Sequence, residues 1–104
     1  MKKLLSVLIV LGFMTAVRPA LALADDAEAL YKSKCQVCHG ADGKASPAGQ
    51  RLGAKDFHSP EVQKQTDAEL FEATKQGKGK MPPYDKKLTD DQIKQLIKYI
   101  RSLK

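Results

Sequence analysis

The sequence has no tryptophan, only two cysteines and only six aromatic residues. Each shortage excludes something. The cysteines, Cys35 and Cys38, lie three positions apart. A disulfide between them would close almost no loop and remove little unfolded-state entropy, which makes it a poor structural staple. The longest uncharged apolar run, Leu4 to Val17, is 14 residues, against the roughly 20 that a spanning helix needs. No stretch of useful length alternates apolar and polar residues, so the chain reads as helices and loops. Arg-rich and aromatic-interleaved basic stretches are also lacking, which leaves no case for nucleic acid.

What is present at the N-terminus has the order of a secretory signal peptide. Met1-Lys2-Lys3 is a positive start, the apolar run follows, Arg18-Pro19 breaks it, and Ala22-Leu23-Ala24 is a small-x-small cleavage site. Cleavage after Ala24 divides the chain into a leader, 1–24, and a mature domain, 25–104; an uncleaved anchor is the alternative. Asp25 rather than cysteine follows the cut, so no lipid attachment is expected and no membrane span remains. The leader takes Lys2, Lys3 and Arg18 with it, leaving 15 basic residues against 12 acidic, a net charge of +3 rather than +6.

The mature domain has 80 of the 104 residues. Domains of that size bury a small fraction of their surface and usually need a disulfide, a metal or a large cofactor. Asp25-Asp26 can cap a first helix that gives way near Gly40. A long loop, about Gly40 to Ser59, holds Gly40, Gly43, Pro47, Gly49 and Gly53. Such loops are uncommon unless they are functional or wrap around something. Ser59-Pro60 reads as a cap with proline at the first helical position. Thr66-Asp67-Ala68-Glu69 is a capping box that opens a helix ending at Gly77, with Leu70, Phe71 and Thr74 turned inward. Gly77-Lys78-Gly79-Lys80 is irregular, and Met81-Pro82-Pro83-Tyr84 is stiff and extended. Thr89-Asp90-Asp91-Gln92 is a second box, opening a helix with an apolar stripe at Ile93, Leu96, Ile97 and Ile100.

Cys35-Gln36-Val37-Cys38-His39 is the C-x-x-C-H attachment sequence for c-type haem. At a helix end, residues three apart share a face, so both thiols reach the two vinyl groups of one porphyrin. The adjacent imidazole then falls under the iron. A thioredoxin-like motif would sit beside a βαβ pattern, and none is visible. A zinc site wants four ligands, and Cys35, Cys38, His39 and His58 would supply them only with Cys38 and His39 strained as neighbours. A plain exported disulfide is the remaining alternative.

With these residues in view the sequence resembles the monohaem class I cytochromes c, and more closely their short bacterial members. Tyr31, four residues before Cys35, stands where the family usually has an aromatic. Leu96-Ile97-Lys98-Tyr99-Ile100 is similar to the closing-helix pattern, and Met81-Pro82-Pro83 to the methionine loop. Ala27 departs from the glycine many relatives have at the helix crossing. The resemblance implies an all-α small cytochrome c fold, three to four helices wrapped around one covalent haem c. It implies Cys35 and Cys38 as thioether positions and His39 and Met81 as axial iron ligands. Met81 is the only methionine of the mature domain, because Met1 and Met14 lie in the leader. His58 is the rival sixth ligand and would lower the potential; an exposed or locally bonded His58 is the plainer reading. The resemblance also implies a proline carbonyl, here Pro47, accepting from the His39 ring. Arg51 or Lys55 could meet a haem propionate, set against solvated loop charges. Phe57, Phe71 and Leu70 are read as haem wall or ordinary core.

A His/Met haem leaves no open position for substrate. The chain is thus expected to be an electron carrier, a monomer of the periplasm, with a thylakoid lumen as the other export site. Lys75, Lys78, Lys80, Lys86 and Lys87 flank Met81 and would face acidic docking patches on redox partners; Asp85 interrupts the cluster, and a merely solvated surface is the alternative. The rival functions are a peroxidase or diatomic-gas sensor with a labile sixth ligand, and a haem-free metal or thiol-redox module.

Overall fold

The computed structural model describes Gly12 and residues 20–104, with side chains from Asp26 onward. The expected leader lies outside the described residues apart from Gly12 and its last five positions. Six helical segments follow: α1 (Ala20–Lys34), α2 (Gln36–His39), α3 (Pro47–Arg51), α4 (Pro60–Gln63), α5 (Asp67–Gln76) and α6 (Asp90–Ser102). The described residues form no strand; Lys78 and Met81 make an isolated bridge. The three longer helices, α1, α5 and α6, carry the architecture.

The boundaries differ from the sequence reading in three places. The first helix does not start at Asp25-Asp26, because Ala20 to Ala24 are good helix formers and carry it through that junction. It breaks at Cys35, before Gly40, and one further turn, α2, resumes the helical path to His39. The long loop contains α3, which the sequence reading left irregular. Ser46 caps α3 by accepting from the Gly49 N–H at 3.1 Å, with Pro47 at its first position. The same device works at Ser59-Pro60, where Ser59 accepts from Val62.

Capping fixes the two C-terminal helices. Thr66 accepts from the Glu69 N–H at 3.1 Å. Its hydroxyl, not its N–H, answers the Glu69 carboxylate at 3.3 Å, so only half of that box forms. The Thr89–Gln92 box is complete, at 2.9 and 3.2 Å. Tyr31, Val62, Leu70, Leu88, Ile93, Leu96 and Ile97 form one buried cluster. Ile93 at its centre is 0% exposed; full burial of such a side chain is worth about 1.5–3 kcal/mol. α6 packs on α1 and α5, and the Tyr31 and Tyr99 rings meet at 5.2 Å across the α1–α6 contact. The frame thus holds the end of α1, with Cys35 attached to it, against a rigid support.

Candidate functional site

Cys35, Cys38 and His39 lie together on the turn that leaves α1. The Cys35 N–H donates to Tyr31 and the His39 N–H to the Cys35 carbonyl, both at 2.9 Å, so the motif keeps helical geometry through the break. Both cysteines are free and half-buried. Val37 between them is 70% exposed, which puts the thiols on the inner side. Burial pushes the Cys35 thiol up to about 11, with Lys34 opposing weakly. A redox-active C-x-x-C depends on a lowered thiol, so Cys35 is poorly suited to that chemistry.

His39 is held neutral, because burial lowers its pKa. A neutral imidazole is the form that binds a metal. Its Nδ1 is buried and has no hydrogen-bond partner, an uncommon state that marks a polar group awaiting a bound partner. The bond expected from the His39 ring to the Pro47 carbonyl is therefore not made. Pro47 opens α3, where a first-turn carbonyl is directed along its own helix. The ring is steadied instead by Phe57, stacked on it at 4.6 Å and 23°. Phe57, expected as haem wall or core, is the ring's neighbour.

The loop after the motif turns back tightly on it. Ala45 and Ser46 donate to the carbonyls of His39 and Cys38 at 3.0 and 2.9 Å. Gly49 passes so close that a Cβ there would lie 1.8 Å from the Cys38 carbonyl oxygen. Tyr31 reaches across to donate its hydroxyl to the Gly40 carbonyl at 2.5 Å.

Met81 sits on a separate loop, half-buried. Lys78 and Met81 exchange backbone hydrogen bonds at 3.0 and 3.1 Å. Gly77 makes this turn possible: its φ is +80°, and a Cβ there would meet the Met81 oxygen at 2.7 Å. Tyr84, three residues on, donates its hydroxyl to the Lys34 carbonyl at 3.1 Å. Burial raises the Tyr84 phenol, and the thiols of Cys35 and Cys38 push it the same way. The Met81 loop therefore adjoins the C-x-x-C-H turn.

His58 goes elsewhere. Its Nδ1 meets Asp56 at 2.7 Å and its Nε2 the Leu103 carbonyl at 3.1 Å. With both nitrogens engaged, neither is free for iron. Lys55 pairs with Glu61 at 2.7 Å, and Arg51 is exposed in the last turn of α3. Lys75 is drawn to Asp90 at 3.1 Å and over the Phe71 ring at 5.6 Å. Lys87 lies over Tyr84 at 5.4 Å. Lys78, Lys80 and Lys86 are exposed.

The donor set is two inward free thiols, a neutral histidine with an unsatisfied nitrogen, and a thioether on an adjoining loop. It fits a covalently attached haem. Comparison with known proteins agrees. The family model described as cytochrome C oxidase, cbb3-type, subunit III matches residues 22–100. A cytochrome c-551 of Stutzerimonas stutzeri is 37% identical over 107 aligned residues, covering 100% of both chains. A cytochrome c-553 of Helicobacter pylori is 35% identical over 104, again covering 100% of both. Among solved structures, the c-type cytochrome KustC0563 is 35% identical with a TM-score of 0.71, over 75% of this chain and 96% of its own.

Proposed function

The chain belongs to the c-type cytochromes, as a small monohaem class I member, and on that premise we propose that it is an exported carrier of single electrons through a His39/Met81-ligated haem. Its family implies a covalently bound haem c with its iron, and its relatives support electron transfer by a haem protein. When bound, the haem supplies a one-electron iron couple whose potential a Met/His ligand pair raises.

The chain's own residues do the rest. Cys35 and Cys38 would tether the group covalently and keep it in place independently of its iron ligands. His39, kept neutral by burial and stacked against Phe57, would supply one iron ligand through its imidazole. Met81, on a loop closed by Gly77 and stiffened by Pro82 and Pro83, would supply the second iron ligand. A haem held by both His39 and Met81 would have no open position for substrate, which is the case for a carrier and against a catalyst. The single observation that carries this reading is the Tyr84–Lys34 bond, which lays the Met81 loop beside the C-x-x-C-H turn. No described helix is long and apolar enough to cross a membrane. The leader read in 1–24 is what supports periplasmic export of a cleaved 25–104 domain. Exposed Lys78, Lys80 and Lys86 are the lysines available to steer acidic docking patches on redox partners; Lys75 is occupied within the fold.

The test is the visible spectrum of the exported, haem-loaded protein, oxidised and reduced, beside Met81→Ala. A weak red band from methionine-sulfur ligation, present in the parent and lost in the variant, is the expected result. A parent without the band, or a spectrum the substitution leaves unchanged, overturns the ligand assignment and turns attention to carbon monoxide and peroxide reactivity.

A further inference from the structure

The Met81 loop, residues 77–87, leads into Leu88 of the buried core and has few hydrogen bonds to the rest of the chain. The Lys78–Met81 pair closes the loop on itself and holds it to nothing else. The Tyr84 N–H donates to the Thr74 and Lys75 carbonyls at 3.1 and 3.2 Å, and the Asp85 N–H to Lys75 at 3.2 Å. These bonds fix the loop to the end of α5. Among the described residues, one hydrogen bond joins it to the C-x-x-C-H side, from the Tyr84 hydroxyl to the Lys34 carbonyl, across 50 residues of sequence.

The acceptor matters as much as the donor. Lys34 is the last residue of α1, and a carbonyl there has lost its helical partner. The Cys38 N–H, which would have supplied that partner, goes to the Cys35 carbonyl at 3.2 Å because the helix breaks at Cys35. Tyr84 therefore satisfies an orphan created by the haem-attachment turn itself. Lys87 lies over the ring, and burial raises the phenol.

We infer that Tyr84 is a positioning residue: its hydroxyl latches the Met81 loop to the turn that carries Cys35, and so resists displacement of the Met81 sulfur by outside ligands. The inference rests on Met81 as sixth ligand. A role confined to stability would be shared by Tyr31, whose hydroxyl also donates to a main-chain carbonyl, that of Gly40, on the histidine side.

The experiment titrates imidazole into the oxidised, haem-loaded parent, Tyr84→Phe and Tyr31→Phe, reading loss of the weak red band, with a urea midpoint for each. Phenylalanine keeps the ring and removes only the hydroxyl. Tyr84→Phe should bind imidazole about tenfold more tightly, the worth of one hydrogen bond. Tyr31→Phe should stay within twofold of the parent while losing comparable stability. An affinity unchanged in Tyr84→Phe, or raised equally in both variants, overturns the latch and leaves Met81 ligation standing. A parent that lacks the band overturns the ligand assignment, and the latch falls with it.

Discussion

The two sides of the site are built differently. The histidine side is local: Cys35, Cys38 and His39 sit within five residues, and the returning loop binds their carbonyls through Ala45 and Ser46. Gly49 presses against the Cys38 backbone. The methionine side depends on contacts far apart in sequence, with Tyr84 meeting Lys34 across 50 residues. A ligand fixed by its own turn can be lost only by disturbing that turn. On the proposed Met81 ligation, the one hydrogen bond that joins its loop to the C-x-x-C-H side is remote, so weakening it should ease ligand loss with the fold intact. The first side should therefore respond to substitution as stability, and the second as ligand exchange.

The hardest test of the local side is Gly49→Ala. The new Cβ would need the space of the Cys38 carbonyl oxygen, 1.8 Å away, and backbone cannot give as a side chain can. The expected loss is about 3 kcal/mol, read as a lowered urea midpoint and a smaller haem-loaded fraction after export. A variant that loads fully and unfolds with the parent would show that the turn is looser than its geometry. Ile93→Ala is the matching control in the shared core. It should cost about 2–5 kcal/mol yet leave the red band of the folded protein unchanged. A band lost with Ile93→Ala while the protein remains folded would break the distinction between the two sides.

The local side was also the legible one. C-x-x-C-H, the Thr89 box and the Ser59-Pro60 cap are short-range patterns, and a short-range pattern is what a sequence displays. Ser46-Pro47 repeats the Ser59-Pro60 signal and would have revealed α3, had the glycines around it not been read as a continuous loop. The break at Cys35 had no such signal, since nothing in Lys34-Cys35-Gln36 disfavours a helix. Contacts that depend on tertiary folding stayed hidden. His58 was readable as exposed or locally bonded, but its particular partners, Asp56 and the Leu103 carbonyl 45 residues on, were not. The Lys75 side chain looked like one more docking charge until Asp90 and Phe71 were brought beside it. Met81 stood out by being alone, while Tyr84, which holds its loop, looked like an ordinary aromatic.

Smaller effects sharpen the same comparison. Thr89→Ala removes the hydroxyl that accepts from Gln92 and should cost about 1 kcal/mol of stability, read as a lowered urea midpoint, with no change in the spectrum. Asp56 adds a pH term. The His58 backbone N–H, and next its ring, hold the Asp56 carboxyl below its usual value of 3.8. A carboxyl depressed in the folded state contributes stability above its unfolded value, and that contribution is lost as the pH falls through the folded one. Asp56→Asn should therefore flatten the stability profile below about pH 4 and leave imidazole affinity at pH 7 unchanged. An acid limb as steep as the parent's would mean that the Asp56–His58 pair does not persist in solution.

The smallest effect belongs to Ala45, whose φ of +68° makes it the one left-handed non-glycine residue among those described. An L-residue there carries a strain of about 1–2 kcal/mol, tolerated because its N–H reaches the His39 carbonyl at 3.0 Å. Ala45→Gly relieves the strain but also frees the unfolded chain, so the net gain should stay under about 1 kcal/mol. A raised urea midpoint with an unchanged red band and unchanged imidazole affinity would show that the histidine side can be tuned without touching the methionine side. If imidazole affinity moved as well, the returning loop would be coupled to Met81, and the two sides would be one structure after all.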